Sequence, residues 1–189
     1  MKKLNLAIIG QGRSGKNIHG LYYTSDKNVY YDVAYVVDVD EERRMRAEKM
    51  YPGCKTFADY KQLFDCKDID IVVNASYSDF HFGITLDLLQ HGFNVLVEKP
   101  FARTRYECDA LIQLAKEKGV VLAVFQQTFF NPFYPFAKEV IASGKLGEIK
   151  EVKFVWVCIR RRPNNFIFHF VWKRRFQLFN FRICWYKRF

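Results

Sequence analysis

A doubly wound α/β fold built on a mostly parallel sheet is predicted by three observations. Short, near-continuous apolar runs alternate with polar helical stretches, the first run ends in a glycine-rich turn, and the second ends in an aspartate. Leu4 to Ile9 is the first run and stops at Gly10; Val33 to Val37 is the next and stops at Asp38, with a helix-capable stretch between. Glu41 to Met50 is charged and helical, Ile69 to Val73 reads as a strand, and Asp79 to His91 carries apolar residues at helical spacing. Val95 to Val97 is another strand. Thr104 to Lys118 reads as a helix stopped by Gly119, and Val120 to Phe125 as a further buried strand. Beyond it, Pro135 to Ser143 resembles a helix closing at Gly144, and Ile149 to Trp156 alternates like a strand that opens a second sheet. The expected organisation is a dinucleotide-binding domain over 1–125, a connection and first strand of a second domain over 126–156, and a distinct tail over 157–189.

The chemistry concentrates at strand ends. Gly10-Gln11-Gly12-Arg13-Ser14-Gly15 is G-x-G-x-x-G placed directly after a strand and at the opening of a helix. Gly10 permits the tight turn, Gly12 lets backbone amides approach a pyrophosphate, and Gly15 lets helix and strand pack closely, as in a Rossmann fold. The helix N-terminus adds N–H groups and partial positive charge. Asp38, at the end of the second strand, has the spacing and chemistry to hold a ribose 2′-hydroxyl and to repel a 2′-phosphate. The cofactor predicted is NAD; Arg43 and Arg44 read first as solvated charges of the following helix and otherwise leave NADP open.

Asn74-Ala75-Ser76-Tyr77-Ser78-Asp79 follows the third long strand at the sheet's carboxyl edge. Ser76 is a candidate cofactor contact there. Ser78 or Asp79 is the expected cap of the next helix, and His81 in its first turn is a candidate for either packing or cofactor contact. Glu98-Lys99-Pro100 ends the strand over 94–97, which sets a carboxylate and an ammonium beside the expected nicotinamide. Lys99 is the candidate catalytic group, able to hydrogen-bond a substrate hydroxyl and to assist its deprotonation where the surroundings depress its pKa; a surface turn is the alternative reading. Lys99-Pro100 is also a candidate cis bond.

Taken together, the glycine turn continuing through Lys16-Asn17-Ile18-His19-Gly20, the segment Val36 to Arg44, Val95 to Pro100, and Ser143-Gly144-Lys145-Leu146-Gly147-Glu148-Ile149 resemble the Gfo/Idh/MocA oxidoreductases. The resemblance runs from about residue 3 to about 156. It implies NAD(P)-dependent oxidation or reduction of a sugar or cyclitol hydroxyl, with Lys99 catalytic and in contact with substrate and Glu98 beside the nicotinamide. At Gln126-Gln127-Thr128 relatives usually read Asn-Arg-Arg or similar, so Gln127 is only a loose candidate for a nicotinamide-side contact. Relatives also continue into an open-faced sheet domain bearing an Asp/His pair that completes the active site and the oligomer interface. Residues 157–189 are not expected to supply that continuation.

Composition sharpens the contrast. Residues 157–189 hold nine of the chain's 30 Lys+Arg, none of its 20 Asp+Glu, seven Phe, and neither Ala nor Gly, so almost all of the net charge of +10 belongs to this tail. Its apolar positions keep neither a helical nor a sustained strand period. The expectation is a change of reading frame near Trp156, leaving a catalytically impaired chain whose 149–156 strand loses its own sheet partners and whose oligomer interface is lost; the tail either folds onto that edge or stays disordered. A non-enzymatic dinucleotide sensor is the alternative, and a basic nucleic-acid binder a third reading. Five scattered cysteines without a C-x-x-C pair fit a reducing compartment and no structural metal. The Met1-Lys2-Lys3 start leads straight into a strand, and no apolar run nears the roughly 20 residues that span a bilayer. The prediction is therefore a cytoplasmic protein with a small-molecule substrate and neither nucleic-acid nor membrane partners.

Overall fold

A computed structural model describes residues 2–148 and the backbone of 152–157 and 167–172, which fall into two units, 1–127 and 128–189. In the first unit six strands form one parallel sheet in the order β3-β2-β1-β4-β5-β6. These are β1 (Leu4–Ile9), β2 (Tyr31–Val37), β3 (Lys55–Phe57), β4 (Ile71–Asn74), β5 (Val95–Glu98) and β6 (Leu122–Phe125). The doubly wound class is the one predicted. The chain turns from one half of the sheet to the other between β1 and β4, the switch point where such folds leave a crevice.

Alternation along β1 explains why it lies at the centre. Leu6 and Ile8 enter one core with Val36, Ala47, Tyr51 and Val73, whereas Ala7 and Ile9 enter the opposite core with Val37, Leu63, Val72, Leu88, Val97 and Leu111. Both faces are thus covered, which is why these strands read as continuous apolar runs. The first core is closed by α2 (Glu41–Met50), which comes close because Ala47 is its one buried residue. The second is closed by α3 (His81–Gln90) and α4 (Arg105–Lys118). Leu88 is wholly buried there; Leu88→Ala is expected to cost about 3 kcal/mol through lost transfer energy and a residual cavity, read by urea denaturation of the chain.

Caps fix where these helices start. The Asp40 carboxylate accepts the Arg43 N–H to open α2, and the Thr104 hydroxyl accepts the Glu107 N–H to open α4. Gly119 closes α4 at φ 65°, a left-handed position that favours glycine. The expected cap of the third helix is different. Ser78–Phe80 form a single tight turn of their own, α3 begins only at His81, and neither Ser78 nor Asp79 caps it through a side chain. Asn74 organises this connection instead: its amide nitrogen donates to the His81 carbonyl and the Thr85 hydroxyl, and its carbonyl oxygen accepts from Ser76.

The helix after the glycine turn also differs from expectation. It opens as a wide π-helical turn, Gly15–Gly20, and continues through Leu21–Tyr23; the two together are α1. Glycines at both ends allow this. A Cβ at Gly20 would stand 2.6 Å from the Tyr51 hydroxyl and 3.1 Å from the Gly15 carbonyl oxygen, so only glycine lets α1 close this wide turn against the end of α2.

In the second unit, α5 (Phe133–Ala142) is followed by Gly144 and Gly147, both at positive φ. An antiparallel pair then runs from Val152–Val157 (β7) to Ile167–Trp172 (β8), Val152 opposite Trp172 and Val157 opposite Ile167. Ile167–Trp172 of the tail thus pairs with the 149–156 edge, one of the two outcomes expected for the tail. The expectation of a changed reading frame falls mainly on residues outside the described ones.

Candidate functional site

The predicted site residues of the first unit lie at the carboxyl ends of parallel strands, in the turns just beyond them, or in the helix that follows. Gly10 follows β1, Asp38 follows β2, Ala75 and Ser76 follow β4, and Lys99 follows β5, so all stand at the carboxyl edge. The glycine turn is tied down from both sides. The Gly10 N–H donates to the Val37 carbonyl at 2.7 Å and the Ala75 N–H to the Ile9 carbonyl at 2.9 Å. Gly10 has φ 91°, and a Cβ there would come within 2.5 Å of the Ala75 carbonyl oxygen. Gly15 presses directly on the Gly10 carbonyl. Gly12 differs: the nearest atom to a Cβ there would be Arg43 Nη1, at 4.0 Å. Two glycines thus serve packing, and the middle one leaves open space above the backbone.

Asp38 closes the site on the β2 side. Its Oδ2 accepts the Gln11 N–H at 2.6 Å and its Oδ1 the Asp40 N–H at 3.0 Å, which aims the buried carboxylate at the glycine turn. Three arginines of α2 gather around it. Arg43 lies 3.6 Å from Asp38 and 3.3 Å from Asp40, Arg44 donates to the Asp38 and Val39 carbonyls, and Arg46 donates to the Gln11 carbonyl. Tyr77, with the carboxylates of Asp38 and Asp40, holds the Arg43 guanidinium above its ordinary pKa. Arg43 and Arg44 read from the sequence first as solvated helix charges and second as groups that leave NADP open, and nothing there singles out Arg46. Helical spacing places all three on α2, but not onto the turn.

Ser76 is half-buried and donates to the Asn74 side chain. His81 is buried, and its ring nitrogens face two carbonyl oxygens, Nδ1 that of Pro100 at 2.7 Å and Nε2 that of Ser76 at 3.2 Å. A neutral ring donates to only one of the two; donated to Pro100 at the shorter distance, the bond ties the start of α3 to the turn after β5. Lys99 is exposed, the Lys99-Pro100 bond is cis, and the Lys99 N–H donates to Glu98 Oε2 at 3.1 Å. Arg13 is exposed and Ser14 half-buried at the mouth of α1.

One functional contact escaped the sequence. His19 Nε2 lies 3.1 Å from Glu98 Oε1, with both side chains 3% exposed. Burial by itself pushes the Glu98 carboxyl up, but the hydrogen bond and charge of His19, with the Lys99 amide and ammonium, outweigh it and hold the carboxyl below its usual range. Because the folded-state pKa is the lower one, this stabilisation is fully present above the ordinary carboxylate pKa near 4.3 and is lost as pH falls through the folded value. Glu98→Gln is expected to lower the melting temperature at pH 7, with the difference from the unaltered chain shrinking below about pH 4 in melts run from pH 3 to 7.

These residues fit a dinucleotide. Open backbone above Gly12, an acidic acceptor at the next strand tip, and guanidinium groups beside it match pyrophosphate, ribose and adenosine-side charge respectively. The Gln11 side chain, only 1% exposed, has no hydrogen-bond partner for either polar atom among the described residues, as expected of a group completed by a ligand or water. Among the described residues no His, Cys, Asp or Glu cluster is set to hold a metal, and no helix is long and apolar enough to cross a membrane.

Known proteins are similar to this chain in sequence and fold. An oxidoreductase YhhX of Escherichia coli, itself uncharacterised, is 34% identical over 150 residues, covering 79% of this chain and 43% of its own length. The scyllo-inositol 2-dehydrogenase (NADP(+)) IolW of Bacillus subtilis is 26% identical over 77% of this chain and 39% of its own length. The crystal structure of GenD2 from gentamicin A biosynthesis, solved with NAD, superposes with a TM-score of 0.70 at 27% identity, over 77% of this chain and 40% of that one. The chain thus spans about two fifths of the length of these relatives. The model of the oxidoreductase family with the NAD-binding Rossmann fold matches residues 4–126, and the chain belongs to that family, GFO_IDH_MocA.

Proposed function

We propose that residues 1–127 bind NAD, and NADP less tightly, at the carboxyl edge of the sheet, and that the chemistry served is oxidation or reduction of a sugar or cyclitol hydroxyl. The observation that carries this reading is the Asp38 carboxylate, fixed by the Gln11 N–H at 2.6 Å beside the open face of Gly12. Gly12, Arg13 and Ser14 would receive the pyrophosphate at the mouth of α1, and Asp38 the adenosine ribose. Ser76, His81 and Glu98 would shape the nicotinamide end, His81 by tying the start of α3 to the turn after β5. Bound NAD supplies the hydride acceptor at that end. Lys99 would hydrogen-bond the substrate hydroxyl and, only as the uncharged amine, accept its proton while the hydride leaves for the cofactor.

A polyol substrate is supported by the relative named for scyllo-inositol. We further propose that turnover by these 189 residues is slow, because Lys99 stands exposed and water weakens the electrostatic contacts on which catalysis draws. Titration with NADH, followed by its fluorescence, tests the binding reading separately from turnover. Saturable binding competed by NAD is the expected result, and no saturable binding overturns it.

A further inference from the structure

We propose that His19 is a positioning residue that locks the Glu98–Lys99 turn to the helix carrying the phosphate-binding glycines, so that the two ends of the cofactor site hold one geometry. The inference rests on the functional reading above. Its structural basis is a chain of contacts across the switch point. Gly15 packs on Gly10 at the start of α1, and His19 follows one turn later on the same helix. His19 Nε2 meets Glu98 Oε1 at 3.1 Å, and the other carboxylate oxygen accepts the backbone N–H of Lys99 at the same distance. A buried carboxylate is held only where donors compensate its lost hydration, and His19 is the side-chain donor here. The ring is itself fixed by the Phe125 ring, 4.4 Å away between centroids, and by Tyr23 stacked at 6.4 Å. Glu98 therefore has both oxygens assigned, one to α1 and one to the peptide from which the Lys99 side chain departs. A displacement of α1 moves that peptide, and the converse also holds.

The alternative is that His19 only fills space against Phe125, and two substitutions separate these roles. His19→Phe keeps the ring volume and removes the donor; His19→Gln keeps an N–H donor at comparable reach. The full chain is labelled with carbon-13 in its glutamate carboxyls, and the Glu98 resonance is identified by its loss in Glu98→Gln. In His19→Phe the Glu98 titration is expected to rise by at least about one pH unit, a tenfold change in proton affinity, and NADH binding to weaken about tenfold. His19→Gln is expected to recover most of both effects. A folded His19→Phe chain with unchanged NADH affinity overturns the proposal. So does a His19→Gln chain that folds yet shows the losses of His19→Phe. Absence of NADH binding by the unaltered chain is a separate failure, that of the functional reading, whereas an unmoved Glu98 titration overturns the positioning role whether or not NADH binds.

Discussion

Gly12→Ala is expected to weaken NAD binding at least tenfold while leaving the melting temperature unchanged or slightly raised, and Gly15→Ala is expected to do the reverse damage. The two glycines lie three residues apart in one motif, yet their surroundings differ. A Cβ at Gly12 would meet nothing nearer than Arg43 Nη1 at 4.0 Å, and Gly12 does not have a left-handed φ, so the folded chain tolerates alanine and the unfolded chain loses freedom. The same methyl would stand where the backbone must approach a pyrophosphate; losing that approach at the scale of about 1.4 kcal/mol gives the tenfold loss.

At Gly15 the methyl would collide with the Gly10 carbonyl, which has no room to retreat. Gly10 is hydrogen-bonded to Val37 and lies so close to the Ala75 carbonyl that a Cβ there would come within 2.5 Å of it. Helix α1 must move off the sheet instead. That overpacking is expected to cost about 3 kcal/mol, or roughly 10 °C in melting temperature for a unit of this size. Thermal melts and NADH titrations of both variants check the pair. Equal loss of stability in the two, or unchanged NAD affinity in Gly12→Ala, contradicts the assignment of the open face to phosphate.

Asp38→Ala is expected to weaken NAD binding between about tenfold and a hundredfold and to shift preference toward NADP by a similar factor. A hydrogen bond to a charged group contributes about 1.5–3 kcal/mol, which sets that range. The shift toward NADP follows from charge. With the carboxylate present, Arg43 is shared between Asp38 at 3.6 Å and Asp40 at 3.3 Å; without it, the guanidinium faces an incoming 2′-phosphate with one fewer competing anion. Arg43→Ala should act oppositely, weakening NADP about tenfold and NAD little, because Arg44 and Arg46 still brace the turn through the Asp38, Val39 and Gln11 carbonyls. Asp38→Asn separates charge from shape, since it keeps an acceptor for the Gln11 N–H. Calorimetric titration of each variant with NAD and NADP measures the effects. An Asp38→Ala chain whose NAD affinity and NADP preference are unmoved removes this carboxylate from the ribose site.

Much of this was legible in the residues because the signals are local. Leu4–Ile9 and Glu41–Met50 have the bounds that their patterns predict, since a strand buried on both faces and a charged, capped helix each carry a distinct period. Lys55–Phe57 was missed because three residues are too few to show alternation, although their pairing with β2 makes them the sheet's edge. The cap expected from Ser78 or Asp79 failed for a different reason: Ser78–Phe80 form a turn of their own, so α3 starts only at His81 and Phe80 takes the cap position.

By itself, then, the sequence determined the order of strands and helices, the glycine turn, the acidic strand tip and the Glu98–Lys99 turn, all of which depend on neighbours a few residues away. Only the tertiary structure decided that His19 meets Glu98 across 79 positions, that His81 lies between the Ser76 and Pro100 carbonyls, and that Arg46 braces the glycine turn. The physical reason is the crossover of the chain. Placing β4 and then β5 on the opposite side of β1 from β2 brings distant strand ends into one crevice, and no local period of apolar residues records which side chains will face each other there.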